Sequence, residues 1–231
     1  MPKPVDINTC KICIYRSFLF SSLDPKDLVK VNLSKKEIEY NQGEVIVRQG
    51  DDIKEFMYLK WGLLKISQDT YLSGNQIIGI AKPLDFIGLL SVFSEDIYQY
   101  TITAIEPSAM CHIDLDLMKE IVQKDGSFAL KLLEKMSQMN ELILRNRLQI
   151  NRRNLRGRIA YILLQFSEEI YKKEKFILPV SRKEIGELIN MRTENVIRIL
   201  SEFRKDKIID ISGKEITILD IHRLQQISDF G

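Results

Sequence analysis

The order of apolar and polar positions changes character along the chain. Between residues 36 and 113 apolar residues come in short alternating runs. In EIEYNQGEVIVRQGD a turn at Gln42-Gly43 separates two β-rich stretches, and Gly50-Asp51 closes the second. EFMYLKWGLLKIS is another pair, with Gly62 between its halves, and NQIIGIAKPLDFIG and QYTITAIE continue at similar spacing. Short strands punctuated by Gly and Pro predict an all-β barrel or sandwich. A short helix over Asp24 to Val31 precedes it.

From Phe128 to Ile150 there is neither Pro nor Gly, and the period lengthens. Leu132, Met136, Met139, Ile143, Asn146 and Ile150 recur at alternating intervals of four and three. That is a heptad seam, which pairs two copies of the chain or packs one helix on its own domain. An Asn in such a seam sets pairing register at a cost in stability. NRRNLRGR at 151–158 is polar and basic and reads as a hinge. Beyond it the pattern predicts a helix from Ile159 to Tyr171, a charged turn at Lys172 to Lys175 and a short strand in FILPV. Two short helices, a hairpin and a last helix near His222 to Ile227 follow. The resulting division is 1–127, 128–150 and 151–231. Overall this is an α+β chain.

A chain of 231 residues, 45% hydrophobic, can bury a core in one large or two modest domains. MPKPVDINTCKIC lacks the apolar region of a signal peptide, and no stretch approaches the ~18 apolar residues of a membrane span. The expected location is cytoplasmic, without a membrane partner. The net charge of +2 conceals an asymmetry: from Arg145 onward 18 Lys+Arg face 12 Asp+Glu, while the preceding residues carry 16 against 20. A basic C-terminal part suits a phosphate backbone or a solvated face. Cys10, Cys13 and Cys111 are an odd number with no export signal, so a disulfide scaffold is not expected. The only histidines, His112 and His222, are far apart. With no Gly-rich phosphate loop, G-x-S-x-G or spaced metal triad, an enzyme is not expected.

The strongest local signal is SRKEIGELINMRTENVIRILSEFRKDKII. Ser181 is a good N-cap, and Glu184 three residues later completes a capping box. Ile185, Leu188 and Ile189 give the first helix an apolar face, and Gly186 lets a second helix cross closely. Asn190-Met191 make the turn, because Asn tolerates the left-handed conformation. The second helix starts near Thr193 and buries Val196, Ile197 or Ile199, Leu200 and Phe203. Two short helices so joined form a helix-turn-helix, whose second helix enters the DNA major groove. Glu194 and Arg198 share one face. Arg can fork onto guanine and Glu can accept from cytosine. Arg192 and Thr193 stand at the helix entrance, where phosphate contacts are usual. An ordinary surface Glu194–Arg198 pair is the plainer alternative. KIIDISGKEITILD is a hairpin about Ser212-Gly213, with Lys214 at its tip. It makes the unit a winged helix.

Across nearly its whole length the chain resembles the Crp/Fnr family of bacterial transcription regulators. The family motif has Leu-Ala in the first helix, Gly in the turn, then Arg-Glu-Thr-Val-Ser-Arg. Here those positions hold Ile185-Gly186, Asn190, and Thr193-Glu194-Asn195-Val196-Ile197-Arg198. The Thr at 193 and Ile at 197 depart from it and affect the outer half-site preference. The resemblance implies a β-roll of the cyclic-nucleotide-binding type (a double-stranded β-helix or jelly roll), a long dimerisation helix and a C-terminal winged helix-turn-helix. It implies a homodimer on a two-fold symmetric double-stranded operator, working with RNA polymerase. Its DNA-facing set is Ser181, Arg182, Arg192, Thr193, Glu194, Asn195, Arg198 and Lys214. The alternatives are a regulator answering to a cyclic-nucleotide-like ligand in a diverged pocket, and a module that binds only protein partners.

GEVIVRQGD and DFIG also match the β-roll. Members that bind cyclic nucleotides hold ribose and phosphate with Gly-Glu-Leu and with an Arg followed by Ser or Thr and Ala. This chain has Gly88-Leu89-Leu90 and Gln99-Tyr100-Thr101. Leu89 replaces the ribose-binding Glu and Gln99 the phosphate-binding Arg. A phosphate buried without a cation is badly desolvated, which argues against cyclic AMP. Oxygen-sensing members carry an N-terminal Cys cluster and a further Cys around a [4Fe–4S] cluster. Cys10, Cys13 and Cys111 match three of the four ligands; the remaining one would fall near Leu19. A cluster wants four ligands, so a non-Cys group would complete it. His112 is a poor candidate, since strand neighbours point to opposite faces. A reversible Cys10–Cys13 disulfide, bound zinc, haem or no cofactor at all remain open.

Overall fold

The structure is a computed structural model, and it describes Cys10, Cys13 and residues 18–70, 74–89 and 91–231. The chain divides into two compact units, Met1–Asp69 with Gly79–Glu141, and Thr70–Ile78 with Leu142–Gly231.

The first unit opens with helices α1 (Phe18–Ser21) and α2 (Pro25–Ser34). Asp24 caps α2 and Pro25 occupies its first position, where a missing N–H costs nothing. Strands follow at β1 (Lys36–Tyr40), β2 (Val45–Val47), β3 (Glu55–Trp61), β4 (Leu64–Thr70), β5 (Gly74–Ala81), β6 (Phe86–Ile87), β7 (Thr101–Ala104) and β8 (Ser108–Asp114). They form two four-stranded sheets, ordered β1-β8-β3-β6 and β2-β7-β4-β5. Except for β4 and β5, neighbours in each sheet are far apart in sequence, as in a roll. Gly62 turns β3 into β4 at φ +92°, and a Cβ there would lie 2.4 Å from the Pro107 carbonyl oxygen. The conformation and the close approach both exclude a side chain.

Helix α3 (Leu115–Lys124) is capped by the Asp114 carboxylate, and α4 (Gly126–Asn151) follows with 26 residues. Leu132 is buried, and Met136 and Met139 pack against the same core as Phe56, Tyr58 and Phe128. This half of the seam is therefore satisfied within its own chain, which corrects its reading as a partner-facing row. The most exposed leucines of α4 are Leu130, Leu133, Leu144 and Leu148, at 69%, 58%, 61% and 58%, ahead of Leu142 and Ile143 at 40% each. At 100° per residue Leu130, Leu133, Leu144 and Leu148 share one face, about 135° round the axis from the seam.

In the second unit Asn146 accepts a hydrogen bond from Tyr161 Oη at 2.9 Å, and Ile150 is buried. Asn146 is thus paired inside its own chain. Asn154 caps α5 (Leu155–Leu164), which runs on as a π-helical turn over Gln165–Tyr171. The hinge read at 151–158 is accordingly shorter, because Leu155 onward is helical. Asn151, Arg152 and Asn154 in it are exposed, but the Arg153 side chain is only 5% exposed. Its guanidinium donates to the Gln149 carbonyl at 2.7 Å and to Ser228 Oγ at 3.2 Å, and lies 4.6 Å from the Tyr161 ring centre. β9 (Lys175–Ile177), α6 (Arg182–Ile189), α7 (Thr193–Lys205), β10 (Ile209–Ser212), β11 (Glu215–Ile218) and α8 (Ile221–Phe230) complete the unit. Its sheet has the order β10-β11-β9.

Candidate DNA-reading surface and sensor site

Helix α6 begins with both halves of a capping box. Glu184 N donates to Ser181 Oγ at 3.2 Å, and Ser181 N donates to Glu184 Oε2 at 2.8 Å. Asn190 ends the helix in the left-handed region, at φ 55° and ψ 58°. Met191 N then donates to the Gly186 carbonyl at 2.8 Å, folding the turn over the glycine. A Cβ on Gly186 would stand 2.5 Å from the Met191 carbonyl oxygen. The small residue is required by the turn's backbone as well as by the second helix.

Arg192 is the N-cap of α7 without capping through its side chain, so its guanidinium stays exposed. Val196, Ile199, Leu200 and Phe203 anchor α7, at most 2% exposed each. Burial on this scale contributes about 1.5–3 kcal/mol per side chain. Ile197 is 51% exposed, so of the two isoleucines considered Ile199 fills the core. Their spacing alone fits either, and the crossing of α6 decides.

On the outer face Thr193 and Asn195 are partly exposed, and Glu194 and Arg198 are exposed. Glu194 and Arg198 do not pair. Arg198 Nη1 donates to Glu202 Oε1 at 2.5 Å, and Glu202 is also gripped by Arg156. Among the described residues Glu194 has no ion-pair partner. Arg182 does not stand free at the helix start: its Nη2 donates to the Gly213 carbonyl at 3.2 Å, tying α6 to the wing. Burial lowers its pKa. Lys214 is exposed in the two-residue turn Gly213-Lys214. A groove of about 560 Å³ runs between α7 and the wing, lined by Arg182, Ile197, Leu200, Ser201, Arg204, Lys205 and Ile211. Sequence reasoning missed Arg204 and Lys205. The signal available was a pair of cations in the last turn of the recognition helix.

In the β-roll the predicted effector residues divide: Gly88 and Tyr100 come together, a Cβ on Gly88 lying 3.6 Å from Tyr100 Oη, while Leu89 and Gln99 lie apart from them in burial. Gly88 has φ +75° and lies against the Tyr98 ring, with a Cβ there 2.9 Å from a ring carbon. Tyr100 Oη is 3.2 Å from Ser91 Oγ. Thr101 Oγ1 accepts from Gln49 N at 3.1 Å. Leu89 is a core residue at 1% exposure, whereas Gln99 is exposed. Leu90 lies outside the described residues. Tyr98, buried beside Gly88, was not foreseen. Burial raises the pKa of Tyr98 and of Tyr100.

Cys10, Cys13 and Cys111 form no disulfide; the first two are half-buried and the last buried. Burial pushes the Cys111 thiol up to about 11, against the opposing pull of Lys35 and Lys60. Among the described residues no three His, Cys, Asp or Glu side chains converge on one ion, whichever metal is considered. His112 is engaged at both nitrogens, with Glu55 Oε2 2.6 Å from Nδ1 and Tyr40 Oη 3.0 Å from Nε2. Tyr58 stands opposite Cys111 on the neighbouring strand, and its buried hydroxyl has no partner among the described residues.

Two family models match this chain. A Crp-like helix-turn-helix domain covers residues 157–227, and a cyclic nucleotide-binding domain covers 37–125. The chain belongs to the Crp/Fnr family. The transcriptional activator protein FnrA of Stutzerimonas stutzeri is 26% identical over 219 residues, 93% of this chain and 88% of that protein. Electron transport regulator A of Shewanella oneidensis is 24% identical, covering 96% and 89%. Among solved structures, a Crp/Fnr-family transcriptional regulator from Eubacterium rectale superposes with a TM-score of 0.78 at 19% identity, over 93% of this chain and 98% of that one. This Crp/Fnr protein is a DNA-binding transcription regulator with a sensory β-roll. Its relatives are regulators rather than enzymes. Regulators of the family bind DNA as dimers. Among the described residues no helix is long and apolar enough to cross a membrane.

Proposed function

We propose that the protein is a cytoplasmic, homodimeric activator that reads a two-fold symmetric operator, contacts RNA polymerase and answers to a redox signal. The observation that carries the DNA reading is the outer face of α7, where Glu194 and Arg198 are presented on a helix anchored by four buried side chains. Arg198 forks onto a guanine, Glu194 accepts from a cytosine, and Arg192, Thr193, Arg204, Lys205 and Lys214 meet phosphates. Ser181 and Arg182 hold the first helix and the wing in place. The division into sensor 1–127, dimerisation helix 128–150 and DNA-binding unit 151–231 is part of this reading. The dimer seam in this reading is the exposed row Leu130, Leu133, Leu144 and Leu148.

The redox reading rests on the three thiols and on the relatives, one of which is named for electron transport regulation. Cys10, Cys13 and Cys111 would hold an iron–sulfur cluster, which supplies a centre sensitive to oxidation. Lys35 and Lys60 balance its charge. Leu89 and Gln99 leave the β-roll without the groups that hold a cyclic nucleotide. The test of DNA reading selects bound sequences from a random duplex pool, then compares variants on the selected site and on random DNA. Arg198→Ala is expected to cost about 1–3 kcal/mol on the selected site and to relax one base pair, while Lys214→Ala weakens all sequences alike. Equal losses on both DNAs for Arg198→Ala would refute base reading.

A further inference from the structure

Apart from Ile197, every residue on the outward side of α7 is polar or charged. Ile197 is 51% exposed there, while Val196, Ile199, Leu200 and Phe203 on the inward side are buried. Single exposed aliphatics are ordinary on protein surfaces. What sets this one apart is its place, one turn into the helix that enters the major groove. At 100° per residue it lies about 60° round the axis from Glu194 and 100° from Arg198.

Its neighbour on the next turn does not offer a polar group in its stead. Ser201 Oγ donates to the Ile197 carbonyl at 2.9 Å, so that hydroxyl is bonded to its own helix. A β-branched side chain in a helix keeps essentially one χ1 rotamer, and little freedom is lost when it docks. An isoleucine so placed discriminates between bases. Thymine alone carries a methyl group in the major groove. The other base edges present donors and acceptors, which an aliphatic side chain strips of water without replacing it.

We propose that Ile197 reads the C5-methyl of a thymine in each half-site, at a base pair adjoining the one that Glu194 and Arg198 read. The inference rests on the DNA reading above and adds an apolar contact to its hydrogen bonds.

The test uses full-length protein and the operator that it selects from a random duplex pool. Deoxyuridine replaces thymidine one position at a time, symmetrically in both half-sites. Uracil keeps thymine's pairing and its O4 acceptor and lacks only the methyl. Affinities come from fluorescence anisotropy for wild type, Ile197→Ala and Ile197→Val, with melting by circular dichroism to check the fold. At one position the wild type is expected to bind about fourfold more weakly per half-site, roughly fifteenfold for both. Ile197→Ala should bind the thymine and uracil forms of that operator equally well. Should Ile197→Ala fail to fold, Ile197→Val decides: a uracil penalty smaller than that of the wild type supports the contact, and an undiminished one overturns it. A wild type indifferent to uracil at every position refutes the proposal. So does a penalty that a folded Ile197→Ala retains in full, since Thr193 or the shape of the DNA then accounts for it. A selected site with no constant thymine removes the role of Ile197 and leaves the base reading by Glu194 and Arg198 standing. A wild type that selects no sequence at all overturns that base reading and this inference with it.

Discussion

Gly186→Ala is the sharpest probe of how the recognition helix is held. The new Cβ would sit 2.5 Å from the Met191 carbonyl oxygen and 3.7 Å from Thr193 N. The first distance is well inside contact range, and the obstructing atom is backbone. It also belongs to the residue whose N–H bonds the Gly186 carbonyl at 2.8 Å. Relief requires the turn to move, and Thr193, the first residue of α7, moves with it. Overpacking of this kind costs about 1–3 kcal/mol. Alanine's better helix propensity returns at most about 1 kcal/mol. The expected net loss is about 1–2 kcal/mol, or roughly 4–16 °C in melting temperature for a cooperative unit of this size. The effect on DNA is expected to exceed the effect on stability, since a shift at Thr193 re-aims Glu194 and Arg198 together. The assays are calorimetric melting of the full-length protein and fluorescence anisotropy with the selected operator, measured well below the melting point. A Gly186→Ala protein that melts no lower and binds the operator as tightly would refute the claim that this contact sets the helix position.

Two further outcomes follow from the α4 helix and from the junction behind it. Leu144→Glu places a charge on the exposed leucine row and should convert the dimer to a monomer by analytical ultracentrifugation, with operator affinity falling at least tenfold; Met136→Ala, on the inward face, should lower stability by about 2–4 kcal/mol and leave the dimer intact. Arg153→Ala strips Gln149, Ser228 and Tyr161 of their shared partner and should cost about 2–4 kcal/mol in urea unfolding; Arg153→Lys should recover less than half, because an ammonium lacks the guanidinium fork.

The recognition unit was legible in the sequence because it is built from contacts within a few residues. A capping box, a left-handed Asn and a small residue before a tight turn each act over three to five positions, and the apolar spacing of α7 marks its buried side. The β-roll was legible for a similar reason, since alternation and turn residues are local. What the tertiary structure decided involves partners distant in the chain. Arg153 reads as a solvated hinge cation until α8 brings Ser228, 75 residues away, against it. Arg182 reads as a phosphate contact until the wing places Gly213 beside it. The heptad seam of α4 is real, but the β-roll core claims Met136 and Met139, and the face left open has its leucines diluted by Ser137, Asn140 and Glu141. Tyr58 carries no signal in a sequence where it is one of 8 tyrosines. Only the pairing of β3 with β8 sets it opposite Cys111. A residue's local conformation is set by its neighbours along the chain, whereas the partner of a buried polar group is set by which distant segment folds against it.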